Sequence, residues 1–386
     1  MIRRLMRKFV DLFPGSSEPR YFFSPSRINI IGEHIDYNGG FVLPCALDMG
    51  TYGLAQRSEE DKIVCYSLNT GDRFESSFPL PSYDEKYTWG NYLLAILYYL
   101  KDQGYQLGGM NIVIGGNIPR ASGLSSSASI ELLFGMMVSS LFHKGKIPLD
   151  VLAEAGIWCE NEFFGLHTGV MDQYSIAYGL KDHALLLNTA TKTHRYIPMD
   201  LQDTVLMIMD TSKPRELKDS KYNQRRVECE QALKKIQEKI KINELCDLRE
   251  DDLDLVEALE DETLRKRARH CVTENIRVHR AIEALEKKDL VTLGKLLMES
   301  NDSLRDDYEV TGFELDTITK AANAVSSCLG ARMTGAGFGG CALALVEKDG
   351  LEEFQDHVAR EYYEKTGYEP HFYMSGIGDG VRELGA

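Results

Sequence analysis

Asn117-Ile-Pro-Arg-Ala-Ser-Gly-Leu-Ser-Ser-Ser-Ala-Ser129 (NIPRASGLSSSAS) lies between a strand-like stretch, MNIVIGGNIP, and a long apolar run, IELLFGMMVSSLFHKG. A strand, a turn of Gly and Ser and then a buried helix leave the first-turn N–H groups without partners, and the helix dipole adds to their attraction for an anion. Small side chains allow a polyphosphate to approach the backbone. The hydroxyls of Ser125, Ser126 and Ser127 suit helix capping, phosphate contact or Mg2+ ligation. Capping needs one serine, so three in a row beyond a Pro-x-x-x-Gly turn favour an anion site. The stretch is not a P-loop, since no Lys follows the glycines, and it lacks the closing glycine of a nucleophile elbow.

The rest of the chain sets bounds on that reading. Its 386 residues exceed what one core usually supports and imply two domains. Hydrophobic residues make up 43% and charged residues 27%, ordinary globular usage that excludes a disordered chain or a coiled coil. A net charge of -15 disfavours partners held by bulk phosphate neutralisation, so neither nucleic acid nor an anionic membrane is expected. A small anion remains compatible where local donors hold it. The eight cysteines form no C-x-x-C pair and are too sparse for a disulfide scaffold, which fits a reduced, cytoplasmic setting. The basic, amphipathic start MIRRLMRKFVDLF lacks a signal-like apolar core and reads as a surface helix, and no later run reaches the ~18 apolar residues of a membrane span.

Residues 20–80 read as short strands and turns, followed by a helix over WGNYLLAILYYLKDQG and the strand that leads into the serine stretch. A further helix, LDVLAEAGIWCENEFFG, precedes the loop LHTGVMDQYSIAYG. From about 216 to 307 the pattern is helical and rich in charge, and the final third returns to mixed structure. That shift divides the chain into residues 1–195 and 196–386. The fold class expected is α+β.

Two more glycine-rich segments stand out. GAGFGG (335–340) is followed by CALALVEKDG, which reads as a strand and not as the helix a dinucleotide fingerprint needs; it is a hairpin tip, either a plain tight turn or a surface backing onto a ligand. RINIIGEHIDYNGG places Arg27, Glu33, His34 and Asp36 around a glycine just past an apolar strand, a set suited to a hydroxyl-rich ligand, a metal or a polar turn. Asp172, in TGVMDQ, falls near a helix start, where the dipole favours a carboxylate and where Asp is also an ordinary cap.

In this order, RINIIGEHIDYNGGFVLP, GLSSSAS and RMTGAGFGGC resemble the three boxes of the galactokinase, homoserine kinase, mevalonate kinase and phosphomevalonate kinase (GHMP) superfamily, and within it the galactokinases. GVMDQ, YNQRR and SLRDDYEV are similar to further galactokinase segments, so the resemblance runs from about residue 20 to 372. It implies a two-domain fold, an N-terminal mixed α/β domain against a C-terminal ferredoxin-like domain, with the active site in the cleft between them. It implies transfer of the ATP γ-phosphoryl group to the anomeric hydroxyl of galactose, with Mg2+.

Carried over by position, the resemblance assigns Asp172 as catalytic base and Arg27 as the cation beside it. Glu33, His34, Ile35, Asp36 and Tyr222 take the sugar positions. Ala121, Ser122, Gly123, Leu124, Ser125, Ser126 and Ser127 form the phosphate loop, Ser127 and Glu160 are Mg2+ ligands, and Ser67 and Trp89 line the nucleotide pocket. The chain departs from the family pattern at Ser26, where Gly is usual, at Ile35, where Thr would place a hydroxyl near the sugar, and at Ala121 and Ser122 in the loop. A non-catalytic sugar sensor of the same fold would have lost residues from the Ser-Ser-Ser-Ala end; Ser127-Ala128 is intact, which favours an enzyme. A kinase for a related sugar, such as N-acetylgalactosamine, galacturonic acid or arabinose, is the alternative within enzymes.

Overall fold

The run YFFSPSRIN, buried from Phe22 onward, and the glycine-punctuated run PCALDMGTYGLAQR build two adjacent strands of the first sheet, in a computed structural model that describes residues 1–15, 17–119, 123–166, 168–213 and 218–385. The strands in chain order are β1 Arg20–Asn29, β2 Phe41–Val42, β3 Pro44–Arg57, β4 Lys62–Ser67, β5 Arg73–Ser77, β6 Met110–Gly116, β7 His183–Asn188, β8 His194–Pro198, β9 Thr204–Asp210, β10 Cys328–Thr334, β11 Cys341–Glu347, β12 His371–Met374 and β13 Arg382–Leu384. The helices are α1 Ile2–Leu12, α2 Gly90–Asp102, α3 Ser126–His143, α4 Leu149–Trp158, α5 Met171–Tyr178, α6 Lys218–Gln237, α7 Leu253–Glu257, α8 Glu262–Glu286, α9 Leu290–Asp306, α10 Gly312–Asn323 and α11 Leu351–Thr366.

The first sheet runs β13-β1-β3-β6-β4-β5, antiparallel except for the parallel pair β4 and β6. Helix α3 is buried nearly all round because it lies on β1 and β3 and is covered by α2, α4 and α5. That explains its apolar sequence, which leaves no solvent face. The N-terminal helix α1 sinks Leu5 and Phe9 onto Leu54 and Val113 and keeps its basic residues outward, as expected of a surface helix.

The second sheet is antiparallel, in the order β10-β11-β9-β12, with α9, α10 and α11 packed on it. The connection β9, helices, β10, β11, α11, β12 is the ferredoxin-like βαββαβ order. GAGFGG is the hairpin tip between β10 and β11, with Thr334 opposite Cys341. A small third sheet, β2-β7-β8, joins the loop after β1 to the segment before β9. The sequence division at 195 falls inside β8, and β13 carries the chain's end back to Tyr21, Phe22 and Phe23 of β1. Among the described residues no helix is long and apolar enough to cross a membrane.

Candidate active site

Five segments far apart in sequence meet in one cleft of about 240 Å³. Arg27 comes from β1, immediately past a break in its register with β3 between Pro25 and Arg27. Such a bulge re-aims a side chain, and here Arg27 lines the cleft. Ser26 occupies the break and sends its hydroxyl to the Met49 carbonyl at 3.2 Å. Glu33, His34 and Asp36 come from the loop after β1, Gly123 and Ser125 to Ser127 from the entrance of α3, and Asp172 from the first turn of α5. Tyr222 of α6 and the hairpin residues Gly335 and Ala336 close the far wall.

At the centre, Arg27 donates from Nε to Asp172 Oδ1 and from Nη2 to Oδ2, both at 2.7 Å, and from Nη1 to the Gly123 carbonyl at 3.0 Å. Burial works against the guanidinium charge, but Asp172, with Glu33 and Asp36, outweighs it and raises Arg27 above its ordinary value. Ser125 has left-handed dihedrals at the entrance to α3 and makes no side-chain cap to the helix; its hydroxyl instead donates to Asp172 Oδ2. The serines therefore do more than cap. The left-handed turn aims one of them at the carboxylate that Arg27 holds.

Glu160 sits on a single π-helical turn, Cys159–Phe163, appended to α4, a feature that clusters at functional sites. Its Oε1 accepts from Ser127 Oγ at 3.0 Å and its Oε2 from Thr168 Oγ1 at 2.6 Å. Burial and the nearby Asp172 charge push Glu160 upward, with the two hydroxyls pulling the other way. Among the described residues no group of three His, Cys, Asp or Glu side chains could hold a metal. One buried carboxylate and one hydroxyl nevertheless fit Mg2+, which takes few protein oxygens and fills its octahedron with water and substrate phosphates.

On the other wall, the Glu33 carboxylate ties the loop to the hairpin. Its Oε1 accepts from Gly335 N at 2.7 Å and Thr334 Oγ1 at 3.0 Å and pairs with Arg332 at 3.0 Å, while Oε2 accepts from Asn29 Nδ2 at 2.8 Å. Helix α8 braces the same loop from outside. His270 bonds the Glu33 carbonyl at 3.0 Å, and Glu274 accepts from Gly32 N at 2.9 Å. Burial lowers His270 to about 4; for Glu274, burial is outweighed by Arg277, His270 and Arg332, which hold it at about 2. Asp36 is pushed from 3.8 to about 7 by burial and by the Asp172 and Glu33 charges. His34 has positive φ, 62°, and lies against the Tyr222 and Tyr308 rings at 5.6 and 4.9 Å.

The structure thus brings together Arg27, Glu33, His34, Asp36, Gly123, Ser125, Ser126, Ser127, Glu160, Asp172 and Tyr222. Ile35 is a correction. Its side chain is fully buried in the core and forms no part of the cleft wall, because the tight turn closed by Asn38 N and Gly40 N on the Ile35 carbonyl directs it inward. Leu124 likewise buries its side chain, so any ligand contact there is through backbone. Ser67, at the end of β4, and Trp89, which meets Phe74 edge-on before α2, stand outside the cleft wall. Ala121 and Ser122 lie outside the described residues.

Thr168 and Gly169, in the loop LHTGVMDQYSIAYG, also line the cleft, and no sequence pattern singles them out. Gly169 is informative: a Cβ there would collide with the Asp36 carboxylate, so the glycine lets α5 and the loop after β1 approach. His270, Glu274 and Arg332 were also missed as fully buried supports; His270 and Glu274 carry no local signal, whereas Arg332 opens the RMTGAGFGGC box.

Residues 7–57 match the galactokinase galactose-binding signature, 91–180 the GHMP kinases N terminal domain and 281–365 the GHMP kinases C terminal. A galactokinase of Clostridium tetani is 48% identical over 384 residues, covering 99% of this chain and 98% of its own length. The chain belongs to the galactokinase family. Another galactokinase relative, from Ligilactobacillus salivarius, is 47% identical over 98% of each chain. Among solved structures, Lactococcus lactis galactokinase complexed with galactose superposes with a TM-score of 0.94 at 42% identity, over 99% of this chain and 100% of that one. Methanococcus jannaschii mevalonate kinase shares the GHMP fold, with a TM-score of 0.66 at 20% identity over 95% of this chain and all of its own.

Proposed function

We propose that the protein transfers the γ-phosphoryl group of ATP to the anomeric hydroxyl of α-D-galactose, giving galactose 1-phosphate and ADP. The observation that carries this reading is the Arg27–Asp172 pair, set between the α3 entrance and the loop of Glu33, His34 and Asp36. The galactokinase relatives and the galactose complex of the Lactococcus lactis protein support the sugar.

In this mechanism Glu33, His34, Asp36 and Tyr222 pair with sugar hydroxyls. A site built on such pairs penalises an epimer that leaves one unpaired, by as much as ~10⁴ in favourable cases. Gly123, Ser125, Ser126 and Ser127, with the N–H groups of α3, hold the triphosphate. Asp172 accepts the anomeric proton as the sugar oxygen bonds to the γ-phosphorus and the bond to the β,γ-bridging oxygen breaks. Arg27 holds Asp172 in place and offers positive charge where the transferring group develops negative charge. Ser127 and Glu160 would hold Mg2+, which when bound neutralises phosphate charge. Ser67 and Trp89 flank the base end of the nucleotide; Ser67 is paired with Ile114 on β6, the strand that feeds the phosphate loop.

The division near residue 195 and a cytoplasmic location belong to the same proposal; the first is supported by the separate N- and C-terminal matches, the second by eight free cysteines. Phosphorus NMR of the product tests the reaction. A 1-phosphate formed from galactose and ATP is expected; a 6-phosphate, or no turnover of galactose while another sugar is consumed, refutes it.

A further inference from the structure

Behind His34 runs an unbroken row of hydrogen-bonding groups that lie outside the cleft lining. The Cys229 thiol meets the Tyr308 hydroxyl at 3.1 Å, Tyr308 meets the Tyr37 hydroxyl at 2.9 Å, and Tyr37 meets His34 Nδ1 at 2.7 Å. Cys229 is 1% exposed and Tyr308 fully buried, so water does not compete for these two groups; Tyr37 is half-buried. The row joins three distant segments: the loop after β1, α6 and the turn after α9.

A row of hydroxyls has one hydrogen per oxygen and so polarises as a unit, in one of two directions. In one, His34 Nδ1–H donates to Tyr37, Tyr37 to Tyr308, and Tyr308 to the sulfur of Cys229. In the other, Cys229 S–H donates to Tyr308, Tyr308 to Tyr37, and Tyr37 to the lone pair of Nδ1. The first puts the Tyr308 hydrogen on a thiol sulfur, a weak acceptor that Cys271 and Asn38 also approach, whereas the second ends on an imidazole nitrogen, the strongest acceptor in the row. Burial, the main cause, pushes Tyr37, Tyr308 and Cys229 all well above their ordinary values, so each keeps its hydrogen.

We propose that the Cys229–Tyr308–Tyr37 row fixes His34 as the Nε2–H tautomer, making His34 a hydrogen-bond donor to the sugar and making Tyr37 and Tyr308 positioning residues for sugar selection. The sugar part rests on the galactokinase reading; the tautomer does not. A donor here complements the rest of the cleft. The carboxylates of Asp36 and Asp172 accept when ionised, and Arg27 directs Nε, Nη1 and Nη2 to Asp172 and Gly123. A fixed N–H on His34 therefore sets which hydroxyl orientation the site takes. The left-handed backbone of His34, at φ 62°, is a strained position of the kind that clusters at ligand sites.

Long-range proton–nitrogen NMR on the full chain labelled with 15N-histidine reads the tautomer without sugar or nucleotide. The chain has nine histidines, and His34→Gln assigns the signal. The expected wild-type spectrum shows an unprotonated, pyridine-type Nδ1 and a protonated, pyrrole-type Nε2. Tyr37→Phe should turn the His34 signals into a mixture, and Tyr308→Phe should move them in the same direction. In both variants the galactose KM should rise roughly three- to tenfold, as for a misdirected hydrogen bond, while the ATP KM changes by less than about twofold. A protonated Nδ1 in the wild type overturns the proposal, as do Phe variants that leave both the His34 spectrum and the galactose KM unchanged. Should Tyr308→Phe not fold, the wild-type spectrum and Tyr37→Phe decide. A wild-type protein with the expected tautomer but no turnover of galactose would refute the kinase reading and leave the tautomer standing.

Discussion

The Arg27 guanidinium grips the Asp172 carboxylate with two donors, Nε to Oδ1 and Nη2 to Oδ2, each at 2.7 Å. A two-pronged pair of this kind fixes the carboxylate in direction as well as in position, which a lysine, with its single ammonium, does not reproduce. Arg27→Lys is therefore expected to keep the charge and lose the alignment. Turnover should fall by ~10² to 10³, the range for loss of one preorganised electrostatic contact. Steady-state ADP release measures it, and a variant within a few-fold of wild type would show that charge alone suffices.

Glu160 receives hydroxyls from both Ser127 and Thr168, the arrangement of a metal ligand held by its neighbours. Glu160→Gln keeps the shape and removes the charge. The Mg2+ concentration for half-maximal activity should rise roughly tenfold or more, and the galactose KM should move far less. An unchanged Mg2+ titration would take Glu160 out of that role.

Asp36 makes a pH-dependent prediction. Its value rises from 3.8 to about 7 on folding, mainly through burial and then the Asp172 charge. An acid raised in this way binds more protons folded than unfolded, so its contribution favours folding at low pH and declines as pH rises from about 4 to about 7. Above that window its charge is a standing cost. Asp36→Asn should therefore stabilise the chain by on the order of 1–3 kcal/mol at pH 8, and by less at pH 5, while raising the galactose KM. Thermal melts at the two pH values check the sign; an equal shift at both would mean that the Asp36 charge is not the cause.

Gly169 leaves no room for a side chain beside the Asp36 carboxylate. Gly169→Ala should move Asp36 or the start of α5 and raise the galactose KM several-fold or more, with a smaller effect on the ATP KM, since a shift of about 1 Å near bound substrate is felt strongly. Galactose and ATP saturation curves on the variant separate the two.

Those parts of the site that sit within one segment were legible in the sequence. Ser125 to Ser127 follow a turn and open a helix, and Glu33, His34 and Asp36 share one loop. The helix after the serines was recognisable because α3 is apolar all round, and GAGFGG read as a hairpin tip from the strand that follows it. What escaped depends on contacts between distant segments. Glu33 meets Gly335 across about three hundred residues, and His270 and Glu274 support the sugar loop from α8, on a helix whose sequence reads as charged surface. β13, three residues long, shows no pattern of its own and exists because β1 offers it an edge. Ile35 was misplaced because its neighbours point into the cleft while the turn at its carbonyl sends its side chain to the core.

Asp172 separates binding from chemistry, because Glu33, His34, Asp36 and Tyr222 line the cleft independently of it and are expected to go on holding the sugar when its charge is removed. Galactose binding by calorimetry and turnover by ADP release, on one preparation of Asp172→Asn, form a single paired measurement. With Asp172 as the base, galactose should still bind within about tenfold of wild type while turnover drops by ~10² to 10⁴. Turnover within about tenfold of wild type, with galactose bound, would remove Asp172 from proton transfer and leave positioning and electrostatics to carry the reaction.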